Sequence, residues 1–180
     1  MKRLCAAFFI LSLYLISCNS GSKTSDIPAQ DRSKVVLHSF TDTTKQDTFK
    51  IELLGKKPKE MELRFTITPA NGIPVYTKVI RASSLLDNYK ESVDLGKEKK
   101  QIAFIKEELQ LFFAEENFLD PAVTATEEPD KNTPDKNFFA ELKRSGVNGF
   151  QYRLGKEIKL YIAWSAQEKK VKPYYECCRQ

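Results

Sequence analysis

Apolar and polar positions alternate along several stretches of the chain, and each stretch predicts a strand half-buried against a core. From Asp47 to Leu54, Phe49, Ile51 and Leu53 alternate with Lys50 and Glu52. From Met61 to Thr68, Met61, Leu63, Phe65 and Ile67 alternate with Glu62, Arg64 and Thr66. Gly55-Lys56-Lys57-Pro58 supplies the turn between them. Pro69-Ala70-Asn71-Gly72 supplies the next, its Asn-Gly pair suited to the positive φ of a tight hairpin, and Pro74 to Arg81 returns as a third strand. Lys34 to Phe40 predicts a further strand at the edge.

The period changes between Lys97 and Phe113, where Ile102, Ile105, Leu109 and Phe112 recur at spacings of three and four and predict an amphipathic helix. Thr133-Pro134 announces a second helix, a cap followed by proline at the first helical position, which runs to about Arg144 and stops at Ser145-Gly146 with Phe138, Phe139 and Leu142 buried. Leu119 to Asn132, with Pro121 and Pro129, reads as an exposed connection. Period two then resumes: Phe150, Tyr152 and Leu154; a turn at Gly155-Lys156; Ile158, Leu160, Ile162 and Trp164; a turn at Gln167-Glu168-Lys169; and Val171, Pro173 and Tyr175 continuing the same face. Pro173 suits an edge strand. The expected fold class is α+β: one curved antiparallel sheet built from an N-terminal and a C-terminal meander, with two helices packed on one face.

Composition narrows the function classes. The 180 residues are 41% hydrophobic and 29% charged, a balance that fits one globular domain and neither a disordered tail nor a polytopic membrane protein. A formal charge of +5 is too mild for a nucleic-acid binder, and no nucleic-acid partner is expected. One histidine and seven glycines leave little material for histidine metal sites, a Ser/His/Asp triad or Gly-rich phosphate loops; no cofactor and no metal are expected. His38 as a general base lacks any accompanying nucleophile motif. Glu127, Glu128, Asp130 and Asp135 offer oxygens to Ca²⁺ without the alternation of a known loop, and read as a solvated connection. Glu107 through Asp135 holds nine acids and one lysine, whereas Lys136 through Gln180 holds ten bases and four acids, so the two segments are expected to neutralise each other in the fold, the alternative being opposite faces presented to different partners.

The N-terminus carries the most specific signal. Met1-Lys2-Arg3 is a basic start, and Leu4 to Ile16 is an apolar run of thirteen residues interrupted only by Ser12, shorter than the roughly 20 residues that span a bilayer. It closes on Leu15-Ile16-Ser17-Cys18, and here the segment resembles a bacterial lipoprotein signal. That resemblance implies cleavage before Cys18 and acylation of Cys18. Acyl chains add about 0.8 kcal/mol per buried CH₂, so several chains on one residue hold a domain to a bilayer. Asn19, where inner-membrane lipoproteins often carry Asp, points toward an outer-membrane address. Residues 19 to 34 show no apolar period and read as a flexible tether. The domain plan is thus a signal peptide over 1–17, a lipidated Cys and tether over 18–34, and a single α+β domain over 35–180.

Two further candidates lie near the C-terminus. Cys177 and Cys178 are adjacent; with Cys18 acylated and Cys5 discarded, they are the thiols left to pair with each other, in a strained ring that points to a redox pair, or else one packs inward and the other is free or bridges two molecules. Arg153, Lys159, Tyr161, Lys172 and Tyr174 occupy the less apolar alternate positions of the last three strands and form a candidate binding face, where flat aromatic contact and charge take up a sugar, a peptide or an acidic group. The run from Phe112 to Ala122, together with the Tyr175-Glu176-Cys177-Cys178 ending, is similar to small lipoproteins of unknown function from Bacteroidetes. That resemblance implies the same α+β domain and a cell-envelope location, and transfers no catalytic residue. The expected function is a lipid-anchored envelope module that binds a protein or glycan without catalysis, its membrane contact made through the lipid on Cys18; the alternative is a thiol-redox or small-ligand enzyme using Cys177 and Cys178.

Overall fold

The computed structural model describes residues 27–89, 91–155 and 158–177. The signal segment, Cys18 and Cys178 lie outside the described residues. Ile27 is already buried in the main core, and Arg32 ties the chain down by donating from Nε to the Ile27 carbonyl (3.2 Å) and from Nη1 to the carbonyls of Leu53 (3.3 Å) and Gly55 (2.9 Å). Residues 27–34, expected in the tether, therefore belong to the folded body: a 3₁₀ turn at Ala29–Arg32 leads straight into the first strand.

Among the described residues eight strands form two four-stranded antiparallel sheets, each with its strands in chain order. The first contains β1 (Ser33–His38), β2 (Asp47–Leu54), β3 (Glu62–Thr68) and β4 (Tyr76–Arg81). The predicted alternation sets its register: Phe49 lies opposite Ile67, Ile51 opposite Phe65 and Leu53 opposite Leu63, all six side chains inside the core. A one-residue slip would turn this whole set to water. Next come α1 (Ala82–Tyr89) and α2 (Glu98–Leu111), and α2 adds Ile102, Ile105 and Leu109 to the same core.

The second sheet contains β5 (Phe118–Leu119), β6 (Gly149–Arg153), β7 (Lys159–Ser165) and β8 (Lys170–Cys177), with α3 (Lys136–Ser145) between β5 and β6. One face of it, Phe150, Tyr152 and Ile162, enters the core of the first sheet. Its other face, Ala163 and Tyr174, packs with Phe138, Phe139 and Leu142 of α3 and with Ala122 and Val123 in a second cluster. The class is α+β as expected, but there are two sheets where one was expected, and α2 and α3 belong to different clusters instead of sharing a face. Alternation reports which side chains are buried, not which sheet they meet. The contact between sheets is aromatic: the Phe150 ring stands 5.4 Å from Phe49 and 5.2 Å from Phe65.

Three local expectations change. α1 follows β4 without a break residue and buries only Ala82 and Leu85, too little to leave a helical period in the sequence. α3 is capped by Asp135, whose Oδ1 accepts from the backbone N–H groups of Asn137 and Phe138 at 3.0 Å, while Thr133 instead accepts from the N–H of Asp130. Its end is as expected, at Gly146 in the left-handed region, whose N–H donates to Leu142. The connection after Leu119 is not wholly exposed, because Ala122 and Val123 fill the second cluster.

Candidate functional site

β5 is only two residues long. It pairs Phe118 with Phe150 and Leu119 with Gly149, so among the described residues β6 beyond Phe150 has no strand beside it on that edge. A 3₁₀ turn, Glu115–Asn117, takes the place of the missing strand, and Gln151 Nε2 donates to the Glu116 carbonyl at 2.8 Å. Between this turn, the last turn of α2 and the β6–β7 pair lies a cleft of about 180 Å³. Leu63, Ile80, Leu85, Leu111 and Phe112 give it an apolar wall; Glu108, Glu116, Asn117, Gln151, Arg153 and Lys159 give it polar groups. Behind it the Tyr152 and Tyr76 hydroxyls meet at 2.6 Å, and burial raises the pKa of both phenols above the ordinary range.

Four polar groups of the cleft, Gln151, Glu108, Arg153 and Lys159, are incompletely matched by the described residues. Gln151 is 8% exposed, its amide nitrogen is committed to Glu116, and its Oε1 has no hydrogen-bond partner among the described residues. Such a buried orphan costs about 1–3 kcal/mol. Glu108 is half-buried and its side chain has no hydrogen bond among the described residues; burial raises its pKa above the ordinary carboxylate value, opposed by the charge of Arg153 and reinforced by that of Glu107. Arg153 and Lys159 are direct cross-strand partners, two cations side by side, and neither has an ion pair among the described residues. Arg153 Nη1 donates to the Tyr89 hydroxyl.

The expected binding face does not exist as a single open surface. Arg153 and Lys159 line the cleft, but Tyr174 is buried, its hydroxyl donating to the Ala122 carbonyl at 2.8 Å. Lys172 is half-buried, ion-paired with Asp135 at 2.8 Å and with Glu168, and its ammonium lies 4.8 Å from the centre of the Phe138 ring. Tyr161 is half-buried, 5.2 Å from the Tyr175 ring. The cause is α3, which covers the face that period two assigns to solvent, together with a bulge between β7 and β8. Tyr161 pairs with Tyr175 but Ile162 with Pro173, so Tyr174 is the extra residue and Tyr175 turns to the α3 side, away from the face expected for it. β8 is an edge strand, as Pro173 required.

Tyr161, Tyr174 and Tyr175 line a second hollow of about 430 Å³ beneath the 119–132 connection, together with Glu127, Glu128 and Asp130. Its acidic groups are already engaged: Tyr175 donates to Asp130, Thr124 to Glu127, and Lys143 pairs with Glu128 at 2.8 Å. The Lys143–Glu128 and Lys172–Asp135 pairs join the acidic segment to the basic one, the neutralisation that the charge pattern predicted. Among the described residues no group of three or more His, Cys, Asp or Glu is placed to hold a metal. His38 is half-buried and pins the sheets together: its ring stacks on Phe118 at 4.2 Å, Nε2 lies 3.4 Å from Asp120 and Nδ1 3.0 Å from the Ser39 carbonyl. Cys177 is disulfide-bonded and lies opposite Lys159 in the β7–β8 register.

Sequence reading found Arg153 and Lys159 but missed Glu108, Gln151 and Tyr152 as one group. Glu108 follows Glu107 on a helix otherwise read for its apolar stripe, and Gln151 is one polar position inside an alternating strand. Neither carries a signal until α2 is laid against β6. No family model, no curated protein and no solved structure matches the chain.

Proposed function

We propose that the mature protein is a lipid-anchored, non-catalytic binding module of the bacterial cell envelope, held to the outer membrane through acylated Cys18, and that it recognises its ligand in the cleft between α2 and β6. The observation that carries the binding assignment is the buried Gln151 Oε1, without a hydrogen-bond partner among the described residues, sharing one cleft with the Glu108 carboxyl and with two cations, Arg153 and Lys159, that face each other across the strands. Proteins satisfy buried polar groups almost everywhere, and exceptions gathered at a concave surface mark places that a ligand completes. The anchor rests on the Leu15-Ile16-Ser17-Cys18 box and on the basic and apolar residues before it.

Each half has its own test. Cys18→Ser should remain unprocessed and lose acylation, read by intact-mass measurement of the detergent fraction; a Cys18→Ser protein that matures and partitions like the parent sinks the anchor. For the cleft, native mass spectrometry of protein extracted from producing cells should show an added small-molecule mass that Arg153→Ala releases. A second reading has one observation in its favour. Reduction of the Cys177 disulfide would free a sulfur opposite Lys159, whose ammonium stabilises a thiolate and so favours thiol-redox chemistry. A disulfide potential below about −300 mV would mark it as structural and end that reading.

A further inference from the structure

We propose that the cleft binds a free amino acid with an apolar side chain, its carboxylate between Arg153 and Lys159, its ammonium on Glu108 and the Gln151 amide oxygen, and its side chain against Leu63, Ile80 and Leu85. This rests on the cleft being the recognition site and names the ligand class that its polar groups select.

The lining fixes the signs. Arg153 and Lys159 face each other directly across β6 and β7. Like charges in that position repel, and an anion between them removes the repulsion. The Gln151 nitrogen donates one N–H to the Glu116 carbonyl, and the unsatisfied atom is Oε1, an acceptor that takes only an N–H or O–H donor. Glu108, whose side chain makes no hydrogen bond among the described residues, adds a carboxyl that favours a cationic donor. A ligand that meets these groups together carries a negative end and a donating, positive end at short separation. A neutral sugar offers donors but leaves both cations unmatched, and a simple carboxylate leaves Gln151 and Glu108 unmatched. Size agrees, because about 180 Å³ is below the roughly 300–1,000 Å³ of drug-sized pockets and suits a molecule of amino-acid dimensions. The wall of Leu63, Ile80, Leu85 and Phe112 selects an aliphatic or aromatic side chain over a charged one.

Isothermal titration of the full chain in detergent tests this with three probes: L-leucine, 4-methylpentanoate, which lacks the ammonium, and 3-methylbutylamine, which lacks the carboxylate. Leucine is expected to bind at least about tenfold more tightly than either analogue, the loss of one charged hydrogen bond. Arg153→Ala should weaken leucine about tenfold and leave the amine unchanged, while Glu108→Gln should weaken leucine and leave 4-methylpentanoate unchanged. A general packing defect would move all three probes together. Gln151→Met, which keeps the side-chain bulk, should weaken leucine while the protein keeps its parent melting profile. Equal binding of leucine and 4-methylpentanoate overturns the ammonium half. No heat from leucine or L-phenylalanine at millimolar concentration with folded protein overturns the proposal. If the extracted protein nevertheless carries another small molecule that Arg153→Ala releases, only the ligand class fails; with no such molecule, the cleft fails as the recognition site.

Discussion

Phe150→Ala should cost this domain a large part of its stability, and should weaken both sheets at once. The ring is fully buried on β6 and touches aromatic rings from several elements: Phe49 and Phe65 of the first sheet, Phe112 and Phe113 after α2, and Phe118 of β5. Truncating a buried Phe to Ala removes about 3–5 kcal/mol through lost transfer energy and a residual cavity. Here the high end applies, about 4–5 kcal/mol, because the cavity walls are strands of two different sheets that cannot close on it without shifting register. Against a typical total of about 5–15 kcal/mol, that leaves the variant marginal. Phe150→Leu keeps most of the volume but loses the edge-to-face contacts, so about 1–2 kcal/mol is expected. Urea unfolding checks both, followed by far-ultraviolet circular dichroism and by the fluorescence of Trp164, the single tryptophan, which lies on β7. The two signals should coincide in the parent, since one core holds both sheets. Two refuting results are clear: a loss below about 2 kcal/mol for Phe150→Ala, or Trp164 fluorescence that changes before the dichroism in the parent.

Other expectations follow from single contacts. The Asp135 carboxylate is held below its ordinary pKa of 3.8, first by the hydrogen bond from Lys172 and then by the N–H of Phe138. A depressed folded-state pKa means its contribution is complete above 3.8 and is lost as pH falls through the lower folded value, so the parent should lose stability in acid and Asp135→Ala should show a flatter acid limb. At neutral pH the same variant should lose about 1 kcal/mol for the missing helix cap, measured by thermal unfolding across pH. Gly55 has φ +81° and an added Cβ would stand 2.4 Å from the Glu60 carbonyl oxygen, whereas Gly72 has φ +78° with open space around it. Gly72→Ala should cost about 1–2 kcal/mol for the conformation alone, and Gly55→Ala clearly more; equal costs would show that the clash relaxes freely.

What the sequence made legible was burial, strand by strand. Phe49, Ile51, Leu53, Leu63, Phe65 and Ile67 are inside as alternation required, and α2 buries Ile102, Ile105 and Leu109 as its period required. Pairing between distant strands was not legible, because alternation looks the same whether Phe150 joins the sheet of Phe49 or packs across from it. The binding face failed for the same reason. Positions 161 and 174 are polar-capable aromatics at alternate sites, which fits a wet face equally well as one roofed by α3 and the 119–132 connection. The bulge at Tyr174 leaves no mark in a pattern that simply continues through Pro173. The cleft needed the third dimension most, since its groups come from α2, the turn after it, and two strands some forty residues further on.

Gln151 separates a structural account of the cleft from a functional one. If the side chain served only the fold, replacing it would remove the 2.8 Å bond to the Glu116 carbonyl and destabilise the protein by the usual 1 kcal/mol or so. The same side chain, however, buries an acceptor that nothing among the described residues satisfies, at a cost of about 1–3 kcal/mol. Gln151→Met deletes the bond and the orphan together, so the two effects oppose and the net change should lie within about 1 kcal/mol of zero, on either side. Thermal unfolding gives that number directly. A strand position that accepts an apolar side chain without loss, yet carries a glutamine with one unmatched oxygen beside a carboxyl and two cations, is held polar for something other than folding. A loss above about 3 kcal/mol would reverse the inference, because the glutamine would then be a structural clamp on the turn at Glu115–Asn117 and its free oxygen an incidental result of that clamp.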